Sequence, residues 1–175
     1  MAVRLEGAVA LRKALRAFTP DLAKETQKEI ASFLKPVVKE ARGYLPSQNQ
    51  ILSNWSSSKK LDNAKFPYYD FATAKSGISF KTTPSKPNRR GFRALASIFN
   101  KTAAGAIYET AGRKNPSSTF VKNLDAKAGG RIVGKDKTSG RAMYRAYEEN
   151  QGKAQDGVVR AIERAANKFK AATNG

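Results

Sequence analysis

The chain has 175 residues, of which 33 are Lys or Arg and 14 are Asp or Glu, so its formal charge at pH 7 is +19. A charge of that size predicts an acidic partner, which is nucleic acid, a protein with an acidic face or an anionic lipid surface. The sequence contains neither Cys nor His, which excludes disulfides, thiolate nucleophiles, the usual zinc sites and triads with a His base. The length fits one domain, and the sequence has no signal-peptide core and no apolar run long enough to span a membrane. We therefore expect a soluble protein that is made in the cytoplasm of its producer.

Two helices are predicted at the N-terminus. The segment from Leu5 to Phe18 has apolar residues at three- and four-residue spacings, which are typical of a short amphipathic helix. The next three residues favour a second helix start, because Thr19 can cap it, Pro20 needs no amide hydrogen at the first position and Asp21 suits the positive end of the helix dipole.

The second helix has an apolar stripe at helical period and is predicted to end near Arg42, before Gly43. Pro36 lies inside the pattern and cannot donate a hydrogen bond to the carbonyl four residues earlier. We expect either a kink between Ser32 and Pro36 or two abutting helices.

The region from Tyr44 to Lys75 is rich in Ser, Asn, Pro and Lys, which predicts a loop with at most a short strand or one turn of helix. Trp55, the only tryptophan, is either an anchor at the edge of the core or a contact for a partner. An aromatic cluster surrounds Pro67, and it either plugs the end of a sheet or, together with nearby lysines, stacks nucleobases. The cluster consists of Phe66, Tyr68, Tyr69 and Phe71.

Three segments are predicted to form a small, mainly antiparallel sheet. Gly77 to Thr83 alternates apolar and polar residues, as a half-buried strand does. Phe92 to Thr102 fits a bulged strand or a helical turn, and the strand is favoured by its neighbours. Ala103 to Ala111 is predicted as a strand with close backbone approach at Gly105.

A turn between the first two predicted strands is strongly basic. It carries Lys86, Arg89, Arg90 and Arg93, and the surrounding segment from Ser76 to Arg141 has fourteen basic residues against three acidic ones. This turn is either a contact for an acidic protein or for DNA phosphate, or a solvated loop tip. A DNA contact of this kind is independent of sequence and depends strongly on salt.

Beyond the predicted sheet, residues 113–140 are dominated by Gly, Lys, Asn and Ser and predict a long mobile loop. Helical periodicity returns between Arg141 and Ala171, which predicts a long C-terminal helix. Two glycines within it predict a break or bend between Gln151 and Gly157, and two helices would also fit the pattern.

Glu109 follows an apolar run and needs a partner if it is buried, for which Arg113 or a base of a neighbouring subunit is available. A single carboxylate without His, without a second acid nearby and without metal-ligand spacing does not make a hydrolytic site. The sequence therefore predicts no catalytic residue, no metal site and no cofactor, and we do not expect an enzyme.

Three stretches in a fixed order, FLKPVVKEAR, AAGAIYETAGRKNP and GRAMYRAYEENQGKAQDGVVRAIERAANKF, resemble the head-tail connector family of long-tailed bacteriophages, in particular its neck or tail-completion proteins. The resemblance covers most of the chain. It implies a structural virion protein at the head-tail junction, assembled in the host cytoplasm as a ring, a hexamer in similar proteins. The implied partners are further copies of the chain, a head connector adaptor or stopper, the tail terminator or tail tube, and DNA that passes through the lumen without sequence specificity, with no membrane.

In that family the acidic residue corresponding to Glu109 packs against the terminal helix or the next subunit. We therefore predict a subunit or partner interface made by Trp55, Glu109, Arg113, Arg141, Tyr144 and Tyr147. Because bases in a channel wall would hold DNA that has to slide, we expect the basic excess to face protein partners or the outer wall. The alternatives are a sequence-neutral nucleic-acid-binding protein, or a tail terminator or minor tail protein.

The predicted fold class is α+β, with N-terminal helices of which one is kinked at a proline, a small sheet, a long C-terminal helix packed on it and long basic loops. We predict a single connector-type domain over residues 1–175. Its parts are a helical region at 1–43, loop and sheet at 44–112, a basic loop at 113–140 and a helical region at 141–172.

Overall fold

A computed structural model describes residues 7–47, 55, 67–127, 132–133 and 139–173. The fold class is α+β, as predicted, with two short strands paired in an antiparallel sheet. The helices are α1 (Ala8–Phe18), α2 (Pro20–Gly43), α3 (Phe71–Gly77), α4 (Ala103–Thr110), α5 (Thr119–Lys127) and α6 (Met143–Thr173). The strands are β1 (Ile78–Lys81) and β2 (Ser97–Asn100).

The chain divides into two compact units. The first unit comprises Met1–Pro36, Phe80–Ser97 and Gln151–Gly175, and the second comprises Val37–Ser79 and Ile98–Asn150. Both α2 and α6 contribute residues to both units. The single domain over residues 1–175 stays a prediction.

The helices α1, α2 and α6 lie where the apolar periodicity predicts them. The helix α2 runs through Pro36 without interruption, so the alternative of two abutting helices is wrong. Burial of Val37, Val38 and Ala41 in the next turn favours continuation of the helix, although the proline removes one backbone hydrogen bond.

The helix α6 is also continuous between Gln151 and Gly157. A Cβ atom at Gly157 would clash with the ring of Phe33, so this glycine lets the two helices of the first unit approach closely. Its place in the sequence is explained by packing rather than by a break in the helix.

The segment predicted as a third strand is helix α4. The Thr102 hydroxyl accepts a hydrogen bond from the amide of Gly105 at 3.2 Å and so caps the helix. Ala104, Gly105, Tyr108 and Glu109 are buried, a spacing that places them on one face of a helix. The close approach predicted at Gly105 does occur, because a Cβ atom there would clash with the side chain of Asn100.

The other predicted loops and strands are partly corrected. β1 lies within the first predicted strand, whereas only residues 97–100 of the second predicted strand form β2. The region predicted as a long loop at 113–140 contains α5, and α3 is the turn of helix allowed near Lys75. The features predicted at Leu5 and Phe66 lie outside the described residues.

Candidate functional site

Glu109, near the end of α4, is only 2% exposed and binds the N-terminus of α6. One carboxylate oxygen, Oε2, accepts hydrogen bonds from the amides of Ala142 at 2.9 Å and Met143 at 3.0 Å, and Oε1 accepts one from Tyr144 at 2.9 Å. These amides are among the donors that a helix start leaves without an intrahelical partner, and the helix dipole favours a negative charge there. The side chain of Glu109 therefore caps α6 from another helix.

The prediction that Arg113 pairs with Glu109 is wrong, whereas contact with the terminal helix is what the resemblance implies. A base from a neighbouring subunit stays a prediction. The hydrogen bonds of Glu109 go to the terminal helix, while Arg113 donates instead to the carbonyl of Ser139 through Nε at 2.7 Å. A Cβ atom at Gly140 would overlap Oε1 of Glu109. The carboxylate therefore reaches the helix only because residue 140 has no side chain.

Arg141 is fully buried and connects three elements of the second unit. Its guanidinium pairs with Asp125 on α5, with Nη2 at 2.8 Å and Nε at 3.1 Å from Oδ1. The Nη1 atom donates to the carbonyls of Tyr108 at 3.0 Å and Ala111 at 2.5 Å, at the end of α4. A buried charge requires such a complete set of partners, so Arg141 holds α4, α5 and the start of α6 together.

Three further residues of the predicted interface are half-buried. The Arg113 guanidinium lies 5.0 Å from the centre of the Tyr144 ring, a cation–π distance. Burial raises the pKa of Tyr147, and the charge of Glu148 raises it further. Arg113, Tyr144 and Tyr147 keep part of their surface exposed, so a partner can reach them.

Trp55 is an internal anchor of the second unit. It is 4% exposed, its indole donates to the carbonyl of Pro67 at 2.8 Å, and it packs edge-on against Tyr69 and Phe120 at centroid distances of 5.1 and 5.4 Å. Tyr69 donates in turn to the carbonyl of Pro46 at 2.7 Å, and burial raises its pKa. Of the two interpretations of Trp55, these contacts support the anchor.

The contacts of Trp55, Glu109 and Arg141 are thus internal to the chain. A subunit interface that includes them stays a prediction, but their conformations are already explained without one.

The predicted basic turn belongs to a larger loop in the first unit, residues 82–95, which we call the basic finger. The side chains of Lys86, Arg89, Arg90 and Arg93 are exposed. No carboxylate pairs with any of them in the part of the chain that the structure describes.

Two basic residues on α6 in the first unit are paired. Arg164 and Lys168 on α6 each lie 2.6 Å from a carboxylate of α2, those of Glu29 and Glu25 respectively. The charges on these helices offset one another, whereas those of the basic finger do not.

Two site residues were not predicted. Arg12 lies on α1, 5% exposed, at helical spacing from the buried Ala8 and Leu15; a base within an apolar stripe is the signal that identifies it. Asp125, the partner of Arg141, belongs to a helix in a region predicted as loop.

Within the described ranges there is no group of three or more acidic, Cys or His residues that could hold a metal ion. No helix among the described residues is both long enough and apolar enough to cross a membrane. Comparisons with protein-family models, with characterised proteins and with solved structures found no match for this chain.

Proposed function

We propose that this chain is a structural protein of the head-tail interface of a long-tailed bacteriophage, a neck or tail-completion protein. In this role it forms a ring that joins the head connector to the tail around the path of the DNA. The observation that supports the proposal is that residues in, or directly beside, the three stretches carrying the resemblance are joined by hydrogen bonds within the second unit.

The first stretch contributes the end of α2. Arg42 donates to the carbonyl of Ile78 through Nη2 at 2.7 Å and Nε at 3.1 Å. The carboxylate of Glu40 accepts a hydrogen bond from the side-chain amide of Asn150, which belongs to the third stretch. Tyr108 of the second stretch donates to the carbonyl of Tyr44, just after the first, at 2.8 Å. The first stretch is therefore linked directly to the third, and Tyr44, two residues beyond its end, is linked to the second.

The second and third stretches are joined by the hydrogen bonds of Glu109 and Arg141 described above. Segments that lie up to 110 residues apart thus form one network of buried and partly buried hydrogen bonds. This is the expected result if their order and spacing reflect a single structural module, as the resemblance implies.

The second unit also offers side chains suited to contacts between copies. The Arg145 guanidinium lies 4.1 Å from the centre of the Tyr44 ring, and Arg113 lies over Tyr144. Arg and Tyr are enriched where protein interfaces gain most of their binding energy. The proposed partners are further copies of the chain in a hexameric ring, the head adaptor or stopper, and the tail terminator or tube.

Mass photometry of the purified protein in moderate salt, without DNA, tests this proposal. We expect a discrete multimer. The double variant R113A/Y147A is expected to shift the population to monomers with unchanged helical content, and Lys170→Ala, at an exposed position on α6, is the control. A wild-type protein that remains monomeric at all concentrations would contradict the ring.

A second candidate function is sequence-neutral nucleic-acid binding, which is favoured by the exposed cations of the basic finger and by the lack of a carboxylate partner for them within the described ranges. In the same experiment, such a protein would be a monomer whose mass increases only with duplex DNA and only at low salt.

A further inference from the structure

The basic finger has a defined backbone conformation. Its two sides are joined by a hydrogen bond from the amide of Ser85 to the carbonyl of Ala94 at 2.8 Å, and by one from the amide of Ala94 to the Ser85 hydroxyl at 2.9 Å. Nearer the tip, the amide of Asn88 donates to the carbonyl of Phe92 at 2.9 Å. The segment therefore folds back on itself as a bonded hairpin-like loop.

Asn88 organises the tip. Its side-chain oxygen accepts hydrogen bonds from the amides of Arg90 and Phe92, both at 2.9 Å, and its carbonyl accepts one from Gly91. Gly91 has φ of 74°, a conformation that glycine adopts without strain. The backbone of Arg89 and Arg90 is thus fixed before any partner binds.

Arg12 fixes the base of the basic finger. Its guanidinium donates to the carbonyl of Leu95 at 2.9 Å and also to the carbonyl of Thr82, one from each side of the loop. Burial lowers the pKa of Arg12, and the charge of Arg16 lowers it further. Arginine nevertheless stays protonated in proteins, so the buried guanidinium of Arg12 keeps its donors and joins both ends of the basic finger to α1.

The charge that this loop carries is not balanced by nearby acidic residues in the described part of the chain. The sequence has no Asp or Glu between Asp70 and Glu109, and the cations at the tip have no carboxylate partner among the described residues. Holding four cations close together is unfavourable by itself. A binding partner with a dense negative charge relieves that repulsion.

We propose that the basic finger is a binding site for the phosphate backbone of nucleic acid. The guanidinium fork matches phosphate oxygens in geometry, and a DNA duplex carries one negative charge per about 1.7 Å of its axis, a density that matches cations concentrated on one turn. The preformed backbone lowers the entropic cost of binding. This site goes beyond the connector role, because the basic finger binds phosphate whether the chain is a monomer or part of a ring. For these residues the proposal replaces the expectation that the basic excess faces protein partners.

The test measures binding of the full chain to a short fluorescent DNA duplex of mixed sequence by anisotropy over a series of KCl concentrations. The variant R89Q/R90Q/R93Q is expected to bind at least about ten-fold more weakly, and the negative slope of log K against log salt should become shallower by about 0.9 for each phosphate that the variant no longer neutralises. The control K13Q/K28Q/K35Q removes the same charge from exposed positions of the first unit and should keep most of the affinity. A duplex of unrelated sequence should bind equally well.

Asn88→Ala tests the geometry separately from the charge. It removes the acceptor of two backbone hydrogen bonds at the exposed tip and leaves every cation in place. We expect several-fold weaker binding with an unchanged salt slope.

Three results would overturn the proposal. They are equal losses of affinity in the basic-finger variant and its lysine control, wild-type affinity in the basic-finger variant, and a wild-type protein that ignores DNA but binds polyglutamate, which would indicate an acidic protein partner. Mass photometry of the same variants keeps the two proposals apart. A ring that persists without DNA affinity contradicts only the phosphate site, and DNA affinity without a ring contradicts only the connector.

Discussion

Glu109 and Arg141 in the second unit are almost completely buried, whereas Arg89 and Arg90 in the first unit are exposed. Each buried group has several hydrogen-bond partners within the chain, and in the described residues no buried side-chain polar atom lacks one. The backbone hydrogen bonds of the basic finger are made within the loop itself, and its cations have no carboxylate partner among the residues that the structure describes. The comparison separates charges that hold the fold together from charges that are available to another molecule.

The largest expected effect is on the buried side of this comparison. Glu109→Ala leaves the amides of Ala142, Met143 and Tyr144 without their acceptor, and we expect the free energy of unfolding to fall by roughly 2–4 kcal/mol. Urea unfolding followed by far-UV circular dichroism measures the change. Glu148→Ala, at an exposed position in the first turns of α6, is the control. Equal stability of the two variants would contradict the cap.

A smaller effect is expected from Gly140→Ala. The new methyl group would displace the carboxylate of Glu109, and overpacking of this kind costs about 1–3 kcal/mol. Gly152→Ala is the matched control, because nothing lies within 4 Å of its added Cβ atom. In α6 this control should be stabilising by about 0.5–1 kcal/mol. Opposite shifts of the melting temperature in the two variants are the expected result.

On the exposed side of the comparison, the variant R89Q/R90Q/R93Q should change the free energy of unfolding by less than about 0.5 kcal/mol. The same urea titration measures it. A large loss of stability would mean that these arginines serve the fold, and the contrast between the two regions would disappear.

The smallest effect concerns ionisation of Tyr44. A hydrogen bond from its hydroxyl to Glu149 is the main cause that raises the pKa of Tyr44 to about 12. Because the pKa is raised in the folded state, the stabilisation is fully present below the ordinary tyrosine pKa of 10.0 and is lost as the pH rises through about 12.

Glu149→Gln should therefore move one phenolate ionisation to lower pH, as seen in absorbance at 295 nm between pH 10 and about 12. Glu163→Gln, at an exposed position further along α6, should leave the titration unchanged. Identical curves for Glu149→Gln and the wild type would show that the hydrogen bond does not control the pKa.

The long helices were predictable because their periodic patterns extend over many residues, as in α2 and α6. The three short helices were missed or only partly predicted, although each begins at a residue with a capping side chain. Asp70 accepts a hydrogen bond from Thr73 at 2.6 Å, Thr102 from Gly105 at 3.2 Å and Ser118 from Val121 at 3.3 Å. In short apolar runs these caps indicate a helix better than periodicity does.

The candidate site was predictable only in part. The sequence shows that a buried Glu109 needs a partner, but its donors are backbone amides of a helix start, which no side-chain pattern reveals. The pairing of Arg141 with Asp125 depends on the position of α5, a helix that was predicted as loop. The exposed cluster of cations in the basic finger could be predicted from the sequence alone. The attachment of this loop to α1 through Arg12 could be seen only in the structure.

Trp55 has one practical consequence. It is the sole tryptophan and packs against Tyr69 and Phe120. The intrinsic tryptophan fluorescence of the protein is therefore an optical probe of the second unit alone. Ellipticity averages over helices of both units. If denaturation midpoints from the two signals differ, the units lose their structure independently, and the order of the two midpoints identifies which of them unfolds first.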